Sequence, residues 1–167
     1  MDLRRVRASD WAAGFFGAAL IGLLWAPWYH AAAGWFRLTG VINITKVSGW
    51  ADVNAWQSMA VNDVIFFIVG LLGIWVVVAI AMHSTAAVPI ALSVFAGLVG
   101  MVASVLAIIR LIWPPDLGPG PTDRAVGVWL GAIAVIGMTV TALLSMHSER
   151  RSVTADIPVT SLPAPQV

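Results

Sequence analysis

The sequence predicts an all-α membrane protein, a four-helix transmembrane bundle with a short β-like extracytoplasmic loop between helices 1 and 2. The first observation is composition: the 167 residues are 60% hydrophobic and 10% charged, with a mean hydropathy of +0.91. Soluble domains carry roughly 25% charged residues, so these few charges cannot coat a water-soluble surface. The second observation is four long runs without Asp, Glu, Lys or Arg, at residues 11–29, 64–82, 84–109 and 125–146.

The four runs predict four helical spans, because crossing the bilayer takes about 20 apolar residues. With their flanking residues, the predicted spans are about 11–29, 59–82, 87–112 and 125–146. Pro and Gly forbid a helix between the last two spans. Residues 1–10 form the predicted amino-terminal segment, and residues 147–167 form a predicted disordered tail.

Positive charge predicts that both termini are cytoplasmic. An even number of spans places both termini on one side, and that side carries the larger number of positive residues. Those residues are Arg4, Arg5, Arg7, Arg150 and Arg151, against Arg37, Lys46 and Arg124 on the other side, with Arg110 at the membrane edge. An alternative for the first run is a cleaved signal peptide, with Ala31, Ala32 and Ala33 as the small-residue cleavage site.

The nine tryptophans are concentrated near the membrane surface that faces away from the termini. One interpretation is an aromatic belt at the headgroup level. In the other interpretation, Trp35, Trp50 and Trp56 form an outer interaction surface for a partner or lipid. The first loop also contains two strand-like segments, residues 35–39 and 41–47, that flank Gly40 and predict a short hairpin.

Two charges border the apolar runs. Asp63 starts the second span and Arg110 ends the third, so the predicted topology places both at a similar depth. They form a candidate intramembrane ion pair, since an unpaired charge in hydrocarbon is costly. The alternative is that each acts alone, with Asp63 at a helix N-terminus and Arg110 extended to the headgroups.

No catalytic, cofactor or metal site is predicted. The chain has no cysteine, no paired carboxylates within a helical turn and no Gly-rich phosphate loop. His83 and His147, at the inner helix ends, form a weaker candidate pair of metal or haem ligands. Two interfacial histidines are the favoured interpretation, because no third ligand is near them in sequence.

Small residues spaced four apart predict the helix-packing faces, since small side chains let helices approach closely in lipid. They are Gly14, Ala18 and Gly22 on helix 1, Ala96 and Gly100 on helix 3, and Gly127 and Gly131 on helix 4.

A series of short motifs follows the first run: Pro27-Trp28-Tyr29, Gly49-Trp50, and Ala55-Trp56-Gln57-Ser58 before Asp63. This series resembles a pattern in uncharacterised small four-span membrane proteins of actinobacteria, over residues 25–72. The resemblance implies a plasma-membrane protein and brings no catalytic residues. The layout is also similar to the claudin type, although the two loop cysteines of that family are absent here.

From these observations we expect a non-enzymatic accessory or scaffold subunit that engages an envelope protein or lipid. The alternative is a small oligomeric transporter or channel that uses Asp63 and Arg110. The expected partners are the lipid bilayer and either an envelope membrane protein or further copies of this chain. Nucleic acid is not expected, because the net charge is only +1.

Overall fold

The computed structural model describes residues 6–31, 34–37, 44–47, 50–59, 61–82, 87–117 and 120–155. Most of these residues are helical. The helices are α1 (Ala8–Leu23), a short α2 (Ala55–Ser58), α3 (Asn62–Met82), α4 (Ala87–Ile112) and α5 (Val126–Ala155). The strands are β1 (Pro27–Ala31), β2 (Gly34–Arg37), β3 (Ile44–Val47), β4 (Ala51–Asn54) and β5 (Thr122–Arg124).

Three of the helices are long and apolar enough to cross a membrane: Asn62–Met82, Ala91–Ile112 and Val126–Ser145. This is the property expected of a membrane protein. The fourth long helix, α1, is apolar but has only 16 residues. Helix α1 packs against α3 and α5, and α4 packs against the same two helices.

The first predicted span, residues 11–29, is too long at its carboxyl end. Helix α1 ends at Leu23, and residues 27–31 form strand β1. Pro27 explains the change, because a proline lacks the N–H that a helix needs and disfavours helical geometry in the residue before it. The tryptophan and tyrosine that follow Pro27 therefore belong to a strand.

The boundaries of the three later helices are compared with the predicted spans in the same way. Span 59–82 begins as a helix only at Asn62, because α2 precedes it and Met59 is extended. Helix α4 has the predicted bounds 87–112. Helix α5 continues to Ala155, nine residues past the predicted end at 146, since no Gly or Pro interrupts the sequence there. The prediction of a disordered tail from residue 147 is therefore wrong for residues 147–155, and the rest of the tail lies outside the described residues.

Strands β1, β4 and β5 form an antiparallel sheet in the order β4-β1-β5, which we call the end sheet. It covers the end of the helices where α1 and α4 finish and α3 and α5 begin. Strand β4 comes from the first loop and β5 from the loop between α4 and α5, so the end sheet joins the two loops. This pairing was not predictable from either loop alone, because its strands are distant in sequence.

Strands β2 and β3 form a separate antiparallel pair, with Gly34 opposite Val47 and Arg37 opposite Ile44. This pair confirms the strand pairing predicted for the first loop. Gly40, between the two strands, lies outside the described residues.

Helices α1 and α3 are in backbone contact through glycines. A Cβ added to Gly17 would lie 2.5 Å from the carbonyl oxygen of Gly70 and 3.2 Å from the Cα of Gly73. A Cβ added to Gly73 would lie 2.8 Å from the carbonyl oxygen of Ala13. Only glycine permits this approach, which brings many backbone atoms into van der Waals contact.

The small-residue face predicted for helix 1 is therefore rotated from the observed one. The buried residues of α1 include Ala13, Gly17 and Leu20, whereas Ala18 is exposed and Gly22 faces open space. Gly14 is at the edge of the contact, where an added Cβ would lie 2.6 Å from Cγ2 of Val77. Both stripes contain small residues, and contact with α3 selects between them.

The small-residue faces predicted on α4 and α5 contact different parts of the protein. Ala96 is fully buried, and a Cβ on Gly100 would lie 2.5 Å from Oγ1 of Thr139, so α4 faces α5 here. Gly127 and Gly131 instead lie against Pro27 and Trp28 of β1. These two glycines thus make room for the end sheet and not for another helix.

Gly17→Ala should destabilise the protein by about 1–3 kcal/mol, because the new methyl group must separate α1 from α3. The matched control is Gly22→Ala on the same helix, which meets open space. The control should be neutral or stabilising by up to about 1 kcal/mol, as expected when alanine replaces glycine in a helix. Unfolding of both variants in mild detergent, followed by circular dichroism, measures the difference. Equal stabilities would contradict the backbone contact.

Candidate functional site

The inner face of the end sheet is attached to the last turn of α4. Tyr29 is fully buried, and its hydroxyl donates a hydrogen bond to the backbone carbonyl of Arg110 at 3.1 Å. Arg124, opposite Tyr29 in the sheet, donates from its guanidinium to the carbonyls of Leu111 and Ile112. The last carbonyls of a helix have no partner within the helix, so these bonds complete the end of α4.

A second attachment completes the end of α1. The indole Nε1 of Trp28 donates to the carbonyl of Leu23 at 2.6 Å, and the backbone N–H of Ala55 donates to the carbonyl of Leu24 at 3.2 Å. The Trp28 ring also stacks on Phe66 of α3, with ring centroids 5.8 Å apart. Trp28 is fully buried, so it is not part of an aromatic belt.

The outward face of the end sheet carries a row of three ionisable side chains. His30 lies opposite Asp52 on one side and opposite Asp123 on the other, and directly opposed residues share a face of a sheet. Nδ1 of His30 is 2.6 Å from Oδ1 of Asp52. Both side chains are exposed, at 42% and 69%, so water screens this pair and it stabilises the sheet little.

This row does not form a metal site. Among the described residues, no group of three or more His, Asp or Glu side chains has the geometry to hold a metal ion. The exposed carboxylates can instead accept hydrogen bonds from cationic or amide groups of a partner.

The structure describes the side chains of Trp50 and Trp56, two of the three tryptophans in the predicted outer surface, so that surface stays a prediction. Trp50, directly before β4, is 57% exposed. Trp56 is half-buried and packs between Trp25 and Phe67, with ring centroids 5.6 Å and 5.8 Å away. Trp35 lies in β2, and its side chain is outside the described part of the structure.

Several other tryptophans at this end are exposed, as a belt at the headgroup level requires. Trp25, Trp113 and Trp129 are all more than half exposed. The tryptophans described at this end therefore comprise buried Trp28, half-buried Trp56 and an exposed set.

Asp63 and Arg110 are not joined by a salt bridge in the described residues. Asp63 is buried at the first turn of α3, and its carboxylate accepts the backbone N–H of Val64 at 2.8 Å. Its position matches the alternative in which an anion favours a helix N-terminus. The Arg110 side chain is half-buried, and the backbone of this residue binds Tyr29.

His83 and the side chain of His147 lie outside the described residues, so the candidate metal or haem pair stays a prediction.

A buried carboxylate that was not predicted from the sequence lies at the opposite end of the helices. Asp10 is 2% exposed, and it accepts hydrogen bonds from the backbone N–H of Arg7 at 2.8 Å and from the Ser145 hydroxyl. It completes the start of α1 and links α1 to α5. The available signal was its helical spacing with Ala13 and Gly17, which places it on the buried face.

Comparisons with protein-family models, curated proteins and solved structures give no match to this chain. The resemblance to small actinobacterial membrane proteins therefore stays a prediction.

Burial raises the pKa of Tyr29 to about 12, against the opposing effect of the positive charges of Arg110 and Arg124. Tyr29 is the only tyrosine, so absorbance of the phenolate reports it alone. The folded protein should titrate near this value and the denatured chain near the ordinary value of about 10. Between these two values the folded state binds more protons, so its stability should fall as the pH rises through this window. A folded-state midpoint near 10 would contradict the burial of Tyr29.

Proposed function

We propose that this chain is a multi-pass plasma-membrane protein with four spans and both termini in the cytoplasm. Three long apolar helices support the proposal, and α1 supplies the fourth crossing. Its 16 residues cover about 24 Å, and Trp25, two residues beyond its end, extends the segment to the level where tryptophan prefers to lie. The pairwise packing of the helices supports a four-helix bundle.

We further propose that the protein is a non-enzymatic accessory or scaffold subunit that engages an envelope membrane protein through its end sheet. The observation that carries this proposal is the attachment of the sheet to the ends of both α1 and α4. The attachment fixes the outward row of His30, Asp52 and Asp123, with exposed Trp50 beside it. A surface held rigid before binding loses little entropy on association.

The apolar character of the described helix contacts favours a scaffold over a transporter. Beyond Asp63, α3 has no polar side chain along its whole length. Ser104 of α4 and Thr139 of α5 form one polar contact, with their hydroxyl oxygens 3.2 Å apart, and Thr139 also donates to the carbonyl of Val135. A conduction path needs a continuous polar lining, and these groups are local and satisfied.

Reporter fusions test the proposed topology. Fusions at the two termini should be active only with a cytoplasmic reporter, and a fusion near residue 50 only with an extracytoplasmic reporter. The mass of the purified protein should include the first helix, whereas a cleaved signal peptide would remove it. Termini on opposite sides of the membrane would overturn the four-span arrangement.

Photo-crosslinking in native membranes tests the interaction surface. A photoreactive residue at exposed position 50 or 52 should give one crosslinked product with a single other membrane protein. The same residue at position 53, which is buried on the inner face, should give none.

A double substitution then measures how much the exposed side chains of the end sheet contribute to partner binding. Trp50→Ala with Asp52→Asn should reduce recovery of that partner at least about tenfold, as loss of a central interface side chain does. Trp113→Ala, which removes another exposed tryptophan at the same end, is the matched control and should leave recovery unchanged. Crosslinks only between copies of the chain, with ion flux in liposomes that Asp63→Asn abolishes, would favour the transporter instead.

A further inference from the structure

The surface between α1 and α3 contains an apolar groove in the half of the helices that is distant from the end sheet. Trp11, Gly14, Phe15 and Ala18 of α1 and Ile74 and Val78 of α3 line it, and its volume is about 370 Å³. Trp11, Phe15 and Ala18 recur at helical spacing, so the groove follows one face of α1. The groove opens towards the side where the proposed topology places lipid.

The dimensions of the groove suit a hydrocarbon chain better than a helix. A protein cavity of about 150 Å³ holds one benzene ring, so a groove of about 370 Å³ has room for a segment of an acyl chain. The distance along α1 from Trp11 to Ala18 is about 10 Å, whereas a partner helix that crossed the membrane beside α1 would need a contact surface of about 30 Å.

Positive charge lies at the end of the groove that reaches the membrane surface. Arg7 is exposed at the N-cap of α1, four residues before Trp11, so helical spacing places it over the same side of the helix. A guanidinium forms strong charge-assisted hydrogen bonds to a phosphodiester. The groove and the arginine together match the two parts of a phospholipid, an acyl chain and an anionic headgroup.

We propose that this groove binds one anionic phospholipid of the leaflet nearest the amino terminus, with an acyl chain against Ala18 and the phosphate at Arg7. The proposal rests on the membrane embedding inferred above and is independent of the partner at the end sheet. The ligand chemistry is a phosphodiester with a net negative headgroup.

Native mass spectrometry of the full chain tests this proposal, with phosphatidylglycerol and phosphatidylcholine added in equal amounts to protein in mild detergent. The wild-type chain should retain one phosphatidylglycerol about fivefold more than phosphatidylcholine, as expected for one arginine near a phosphate. Arg7→Gln should remove this preference, and Arg7→Lys should keep most of it. Equal retention of the two lipids by the wild-type chain would overturn the headgroup site.

A second variant tests the groove itself. Ala18→Leu fills the groove from an exposed position and should lower retention of phosphatidylglycerol about tenfold. Ala91→Leu, at an exposed alanine of α4, is the matched control and should leave retention unchanged. Unchanged retention in Ala18→Leu would overturn the proposal, and so would a change in oligomeric state, which would assign the groove to a second copy of the chain.

The Tyr29 titration verifies that each variant is folded. Crosslinking at position 50 is independent of lipid retention, so failure of the lipid site and failure of the proposed scaffold function are distinguishable.

Discussion

The backbone carbonyls at the ends of α1 and α4 determine how the rest of the protein is arranged. Neither helix can satisfy these groups itself, and hydrocarbon offers no hydrogen-bond donors. Side chains of the end sheet supply the donors: Trp28 for α1, and Tyr29 and Arg124 for α4. The sheet is thereby fixed relative to two helices that do not follow each other in sequence.

Close backbone approach is the second organising feature, and glycines permit it in two places. Gly17, Gly70 and Gly73 bring α1 against α3, while Gly127 and Gly131 admit Trp28 against α5. The first contact provides α1 with packing along its short length. The second connects the sheet to α5, so the sheet and all four long helices share one set of buried contacts.

The surface consequently divides by chemistry. The outward face of the end sheet is polar and contains His30, Asp52 and Asp123, with Trp50 at its edge, which suits contact with another protein in water or at the headgroups. The opposite half, along α1 and α3, is apolar up to Arg7 and suits a lipid. Both features support the proposed scaffold, in which a lipid binds at one end and the end sheet presents a rigid surface at the other.

The sequence by itself determined the apolar helices and the strands β2 and β3 of the first loop. Helix α4 has its predicted bounds, because hydropathy and helical spacing are local properties that a single segment carries. Pro27 is a local signal that α1 must end before it. The aromatic residues after Pro27 are equally typical of a membrane interface, so they did not reveal the strand.

Only the tertiary structure decided which groups meet. Tyr29 binds the carbonyl of Arg110, 81 positions away, and β5 is a three-residue strand with no pattern of its own. Ala13 and Gly17, and not Ala18 and Gly22, face α3, because two stripes of small residues were available and the partner helix selected one. Asp63 lies at a helix N-terminus without Arg110. In each case the deciding interaction joins segments that are distant in sequence. The local composition of either segment therefore does not predict the contact.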